Sequence, residues 1–194
     1  AGTRVDQRGD TLEICTRMWT EDAPTYTGKH YRIESAFCAP KPVQSPLPIW
    51  IGGRKPRILR LAAKWAQAFN WLPEGGFPTP EQTAGGMRDI DGACRAVGRD
   101  PATLRHSVFL SAVIGETEAR AAEIVAEVAA RAKVTPEEWR ARRPGAMVGS
   151  PEQVTERLRE HRAAGAQDAN IVFPYGHDLA MTRLLGERVV PALR

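Results

Sequence analysis

The run Ile49-Trp50-Ile51-Gly52-Gly53-Arg54 is the part of this sequence best equipped to bind a ligand. An apolar stretch ends in two glycines, and an amphipathic stretch opens at Pro56. Glycine tolerates positive φ and lets a ligand come close to the backbone. The start of the following helix adds free amides and the positive end of its dipole. Arg54 and Lys55 add cationic side chains. Ile51, Gly52 and Gly53 therefore form a candidate phosphate cradle, with Arg54 as a supplementary anion contact. Read alone, two glycines after a strand are more often a simple turn. Asn70 and Trp71 close the next apolar run and are candidates to line the same pocket. The candidate acid or base is His177, in Pro174-Tyr175-Gly176-His177-Asp178 after the last apolar run. An imidazole is a side chain suited to acid–base chemistry. The competing reading has Asp178 capping the last helix.

The other chemically capable residues read as structural. His30 lies in a loop, His106 opens a strand, and His161 falls on a polar helix face where solvation is expected. Trp19 and Trp65 sit on apolar helical stripes and read as core, while Trp50 faces either the inside of a barrel or the helices. Arg140, Arg142 and Arg143 form a basic cluster that is either a solvated face or a grip on an anionic cofactor tail. Three cysteines, Cys15, Cys38 and Cys94, are too widely spaced for a disulfide framework or a metal cluster. No metal site is expected.

The elements that position these residues alternate. Residues 10–19 carry a helical stripe, 22–29 read as loop, and 31–33 as a short strand. Residues 39–48 hold Pro40, Pro42, Pro46 and Pro48, which excludes a helix there. From residue 48 onward, apolar strands at 48–53, 68–72, 106–114 and 170–173 alternate with helical stretches at 56–66, 80–97, 117–131, 136–142 and 151–164, and a last helix runs to residue 193. Ser150-Pro151-Glu152-Gln153 has the pattern of a capped helix start, and Gly98 and Gly165 are stops. Short strands with little alternation are those of a parallel sheet covered by helices. Four strand–helix units make half of a (β/α)8 barrel, and on pattern alone a doubly wound sheet fits as well. The expected layout is a helix plus proline-rich linker over 1–47 and the strand–helix units over 48–194.

With 42% hydrophobic residues, the 194-residue chain can build one sizeable core. No apolar run is long enough to span a membrane, and the polar N-terminal segment is not a signal peptide. The net charge of +4 is dispersed and comes without a recognition motif, so nucleic-acid binding is not expected. A reducing cytoplasm is the expected location. The start without Met suggests a processed or truncated chain.

The succession Tyr26-Thr27-Gly28-Lys29-His30-Tyr31, then Pro40-Lys41-Pro42-Val43-Gln44-Ser45-Pro46-Leu47-Pro48 running into Ile49–Gly53, resembles luciferase-like monooxygenases, especially their deazaflavin (coenzyme F420)-dependent branch. Residues 62–70, 148–154 and 165–173 extend the resemblance. Gln67-Ala68 departs from it, standing where the family usually has Asp-Gly. The resemblance implies the C-terminal half of a (β/α)8 TIM barrel, its strands five to eight. It implies an oxidoreductase or monooxygenase using F420 or FMN on a small-molecule substrate, with the ring at the C-terminal mouth of the barrel. It also implies a homo-oligomer, paired with an N-terminal half-barrel that would supply the residues under the ring. The alternative is a non-catalytic half-barrel acting as a binding or assembly module.

Overall fold

The computed structural model describes residues 2–194, and Ala1, the start without Met, lies outside them. Helix α1 spans Gly2–Thr20, longer than the apolar stripe indicates. A small antiparallel pair follows, β1 (Tyr26–Thr27) and β2 (Arg32–Ile33), in register Tyr26↔Ile33. Residues 26–27 were expected as loop; a two-residue strand is too short to show a period. The pair wraps the buried Asp10, whose carboxylate accepts from the amides of His30 (2.6 Å) and Tyr31 (3.1 Å) and from Tyr26 Oη (3.2 Å). The His30 amide above all holds the Asp10 carboxyl below the usual carboxylate range. Residues 34–49 contain no regular element, as the prolines dictate. Within them, Lys41 Nζ donates to the carbonyls of Met18 (2.7 Å) and Glu21 (2.6 Å) and so satisfies the end of α1.

The rest is strand–helix alternation: β3 (Trp50–Gly52), α2 (Pro56–Trp65), β4 (Ala68–Trp71), α3 (Pro80–Ala96), β5 (Arg105–Ile114), α4 (Glu118–Arg131), α5 (Pro136–Ala141), β6 (Met147–Gly149), α6 (Pro151–Ala163), β7 (Asp168–Val172) and α7 (Asp178–Leu184). A π-helical turn at Leu185–Val189 and a last turn at Val190–Ala192 prolong α7. All five strands from β3 onward pair in parallel. β5 is the hub: it pairs with β4 through Arg105–Val108, with β7 through Ser107–Ser111, and with β6 through Ala112–Ile114. Sequence pattern missed β6, because three residues give no alternation to read. β3, β6 and β7 each have a single neighbour, so the sheet has open edges, among them those of β3 and β7.

Local capping chemistry sets the helix ends. Ser150 Oγ accepts from the Gln153 amide (3.4 Å) while Gln153 Oε1 accepts from the Ser150 amide (2.9 Å), the reciprocal pair expected from the sequence. Gly98 takes φ +76° just past α3. The carbonyls of Ala63, in the last turn of α2, and of Ala66, just past its end, accept from Arg99 Nη1 at 3.1 and 2.6 Å.

Alternation on β5 splits the sheet into two faces. Val108, Leu110 and Ala112 point to the helix layer and join Phe69, Ile90, Ile124 and Val154 in the core. The opposite face leaves Trp50 half exposed and Val172 partly exposed. Ser107, Ser111 and Val113 of the central β5 are nonetheless buried on it. The parallel strands β3, β4, β5 and β7 follow one another without a reversal of order, so right-handed crossovers put the helices on one face, which rules out the doubly wound alternative. Two expectations fail in the core. His161 is 1% exposed, clamped between α6 and α3 with Nδ1 2.9 Å from Thr83 Oγ1. The charged residues around it on α6 suggested a solvated face, but α3 lies over that flank. Trp71 turns toward α3 and rests on Gly86, where an added Cβ would strike its indole ring. Gly86→Ala is therefore expected to lower stability in urea denaturation: overpacking costs about 1–3 kcal/mol, and better helix propensity returns at most about 1 kcal/mol.

Candidate functional site

Gly52 ends β3 and pairs with Asn70 of β4, which pairs with Ser107 of β5. Paired residues share a face, so Gly52, Asn70 and Ser107 all point away from the helices. A Cβ on Gly52 would lie 3.2 Å from the Asn70 carbonyl oxygen, on that same face. Glycine thus keeps the end of β3 bare. Gly53 plays a different part. Its φ is +148°, and a Cβ there would come within 2.7 Å of Ile58 Cγ2, so its role is to fold the chain back onto α2.

The cradle differs in detail from its sequence reading. The Gly53 amide donates to the Asn70 carbonyl (3.3 Å), and Ile51 points into the core at 5% exposure. What the turn offers is the bare surface at Gly52 and the amides of Arg54 and Lys55, which have no acceptor among the described residues. Arg54 Nη2 lies 2.8 Å from Glu74 Oε2 in the loop after β4, and Lys55 Nζ reaches the same oxygen at 4.0 Å. The Arg54 guanidinium holds the Glu74 carboxyl below its usual range. Arg54 therefore bridges the loops after β3 and β4, and its charge is partly matched.

Beside Gly52 the expected Asn70 joins two polar residues not identified from sequence, Ser107 and Asn170. Asn70, Ser107 and Asn170 come from β4, β5 and β7 and meet on the uncovered face through mutual hydrogen bonds of 3.0–3.2 Å. The available signal was Ser107 itself, a polar residue at the head of a long apolar strand. One step toward the strand starts, Arg105 and Asp168 on the same face form a bidentate ion pair.

The structure does not bring Trp71 or His177 to this face. Trp71 is buried beneath α3. His177 Nε2 lies 3.1 Å from Glu127 Oε2 on α4, and the residue lines a cavity of about 890 Å³ between the end of β5, α4 and α7. Its loop is tied to α4 by Arg131 Nη1 donating to the Tyr175 carbonyl (3.2 Å). His106 lies 3.3 Å from Asp91 of α3, also on the helix side. No helix of the described residues is long and apolar enough to cross a membrane.

A family model described as luciferase-like monooxygenase matches residues 1–168. No curated protein matches the chain. Among solved structures, it is similar to the coenzyme F420-dependent tetrahydromethanopterin reductase from Methanopyrus kandleri (16% identity, TM-score 0.76, covering 98% of this chain and 64% of that one). It is also similar to an F420-dependent secondary alcohol dehydrogenase in complex with an F420-acetone adduct (15% identity, TM-score 0.77, 100% and 63%). A third is the EDTA monooxygenase EmoA from Chelativorans sp. BNC1 (17% identity, TM-score 0.77, 99% and 59%). At these identities the likeness is one of fold: a parallel α/β sheet corresponding to part of a (β/α)8 barrel. The chain spans about three fifths of the length of the structures it matches.

Proposed function

The chain belongs to the luciferase-like monooxygenase family, and on that premise we propose that it forms the C-terminal part of an oxidoreductase using F420 or FMN. Residues 48–194 supply the later strand–helix units of the barrel, and residues 1–47 lead into them. The observation that carries the reading is the bare strand end at Gly52, beside the start of α2 and on the face that a closed barrel would enclose. In barrels of this kind ligands bind at the C-terminal ends of the strands.

The residues present fit a phosphate-bearing cofactor. Gly52 leaves room for close approach, the amides of Arg54 and Lys55 are available as donors, and Arg54 and Lys55 bring positive charge to the rim. Asn70 supplies a neutral polar group one strand further in. The bound cofactor supplies two-electron redox chemistry toward a small-molecule substrate. This chain's part is to hold the phosphate and orient the ring. His177 and Trp71 are outside this proposed site, since both face helices. The unpaired edges of β3 and β7 are where further strands would complete the barrel, either from the same polypeptide or from a partner.

Titrating the protein with FMN and with F420, followed by cofactor fluorescence, tests the reading. Saturable binding of one of them is the expected result. A folded protein that binds neither overturns it and favours a non-catalytic assembly module, for which the open edges provide the surface.

A further inference from the structure

The Asn70–Ser107–Asn170 trio is wired so that one donor and one acceptor remain unused. Ser107 Oγ donates to Asn70 Oδ1 (3.0 Å), and Asn170 Nδ2 donates to both Asn70 Oδ1 (3.1 Å) and Ser107 Oγ (3.2 Å). These bonds occupy the acceptor of Asn70 and the donor of Asn170. Asn70 Nδ2 and Asn170 Oδ1 have no partner among the described residues; Asn70 Nδ2 is not a buried atom, and Asn170 is an exposed residue. Ser107 is fully buried, so the trio has a fixed base. Two primary amides held by shared hydrogen bonds lose little further freedom on binding a ligand.

The neighbourhood is electrically neutral. Trp50, Gly52, Ala68, Phe109, Ser111 and Val172 share the face by alternation, and the one charged pair there, Arg105 with Asp168, is matched within itself. An exposed amide donor beside an exposed amide acceptor repels neither partner of a neutral group that carries C=O next to N–H. A carboxylate or phosphate would place its oxygens against Asn170 Oδ1. The chemistry selected is thus a lactam or imide edge on a planar ring.

We infer that Asn70 Nδ2 and Asn170 Oδ1 bind the pyrimidinedione edge of the cofactor ring, with Asn70 donating to a ring carbonyl and Asn170 accepting from the ring N3–H. The inference rests on the proposed function, since FMN and F420 both carry that edge. Ser107 is a positioning residue that acts by holding Asn70 Oδ1. An amide-bearing substrate offers the same chemistry, so the test is made on cofactor binding without substrate.

The protein is titrated with whichever cofactor it binds and with the N3-methylated form of that cofactor. The wild type is expected to bind the methylated form roughly tenfold more weakly, as loss of a buried neutral hydrogen bond requires. Asn170→Leu, at an exposed position, is expected to weaken the unmethylated cofactor by a similar factor and to abolish the discrimination. Ser107→Ala should reduce the discrimination only in part. Equal wild-type affinity for both forms, or discrimination that survives Asn170→Leu, overturns the assignment and leaves cofactor binding as proposed. Failure of the wild type to bind either cofactor removes the proposed function, and this inference falls with it.

Discussion

Acidification from neutral pH to about pH 4 will remove about 3 kcal/mol of folding stability through one side chain, His161. The residue is 1% exposed, with Nδ1 held 2.9 Å from Thr83 Oγ1 and Nε2 buried without a hydrogen-bond partner among the described residues. Burial, helped by the positive charge of Arg157 and opposed by Glu160 and Glu81, pushes its pKa down from 6.5 to about 4. In the unfolded chain the imidazole takes its proton near pH 6.5; in the folded protein it stays neutral until about pH 4. Between those values the unfolded state binds more protons, so the stability is complete above about pH 6.5 and drains away as pH falls toward 4. Urea denaturation of wild type and His161→Gln at a series of pH values isolates this contribution, because the carboxylates titrate in both proteins. The variant should lose about 3 kcal/mol less than wild type across the window. Parallel curves for the two proteins would mean that the buried ring is not what couples stability to pH.

Gly52→Val is the second large effect: cofactor affinity should drop on the order of 100-fold, about 2.7 kcal/mol. The new Cβ would stand 3.2 Å from the Asn70 carbonyl oxygen and on the same face as the Asn70 side chain. Its methyl groups would project into the space proposed for the phosphate. Charge-assisted hydrogen bonds to the neighbouring amides, each about 1.5–3 kcal/mol, would be stretched or broken. Gly53→Ala is the control. It strains the turn against Ile58, so its damage should appear in thermal melting more than in cofactor affinity. If Gly52→Val folds and binds with wild-type affinity, the phosphate lies elsewhere.

Much of the architecture was legible residue by residue, because its causes are local. The spacing of Leu59, Leu61, Ala62 and Trp65 by itself marks α2 as a helix with one apolar face. Ser150, Pro151 and Gln153 place the start of α6 through bonds spanning three residues. The glycine pair after Ile51 likewise announced a turn between strand and helix, and the structure has one there.

The face each side chain meets was not legible, since it is decided by which strands pair and in what register. Ser107 and Asn170 touch Asn70 across 37 and 100 residues of sequence, and only the parallel pairing of β4 and β7 with β5 aligns them. Trp71, next to Asn70, goes to the opposite side because a strand alternates, and α3 offers it Gly86. His161 looks solvated among its charged neighbours until α3 covers it with Thr83. Arg54 finds Glu74, and His177 finds Glu127, only once the loops are in place. Local periodicity and capping thus determined the order of the longer strands and helices by themselves, though not the short β1 and β6. Long-range pairing decided which polar groups share a face, because hydrogen bonding across strands brings together residues that no spacing along the chain connects.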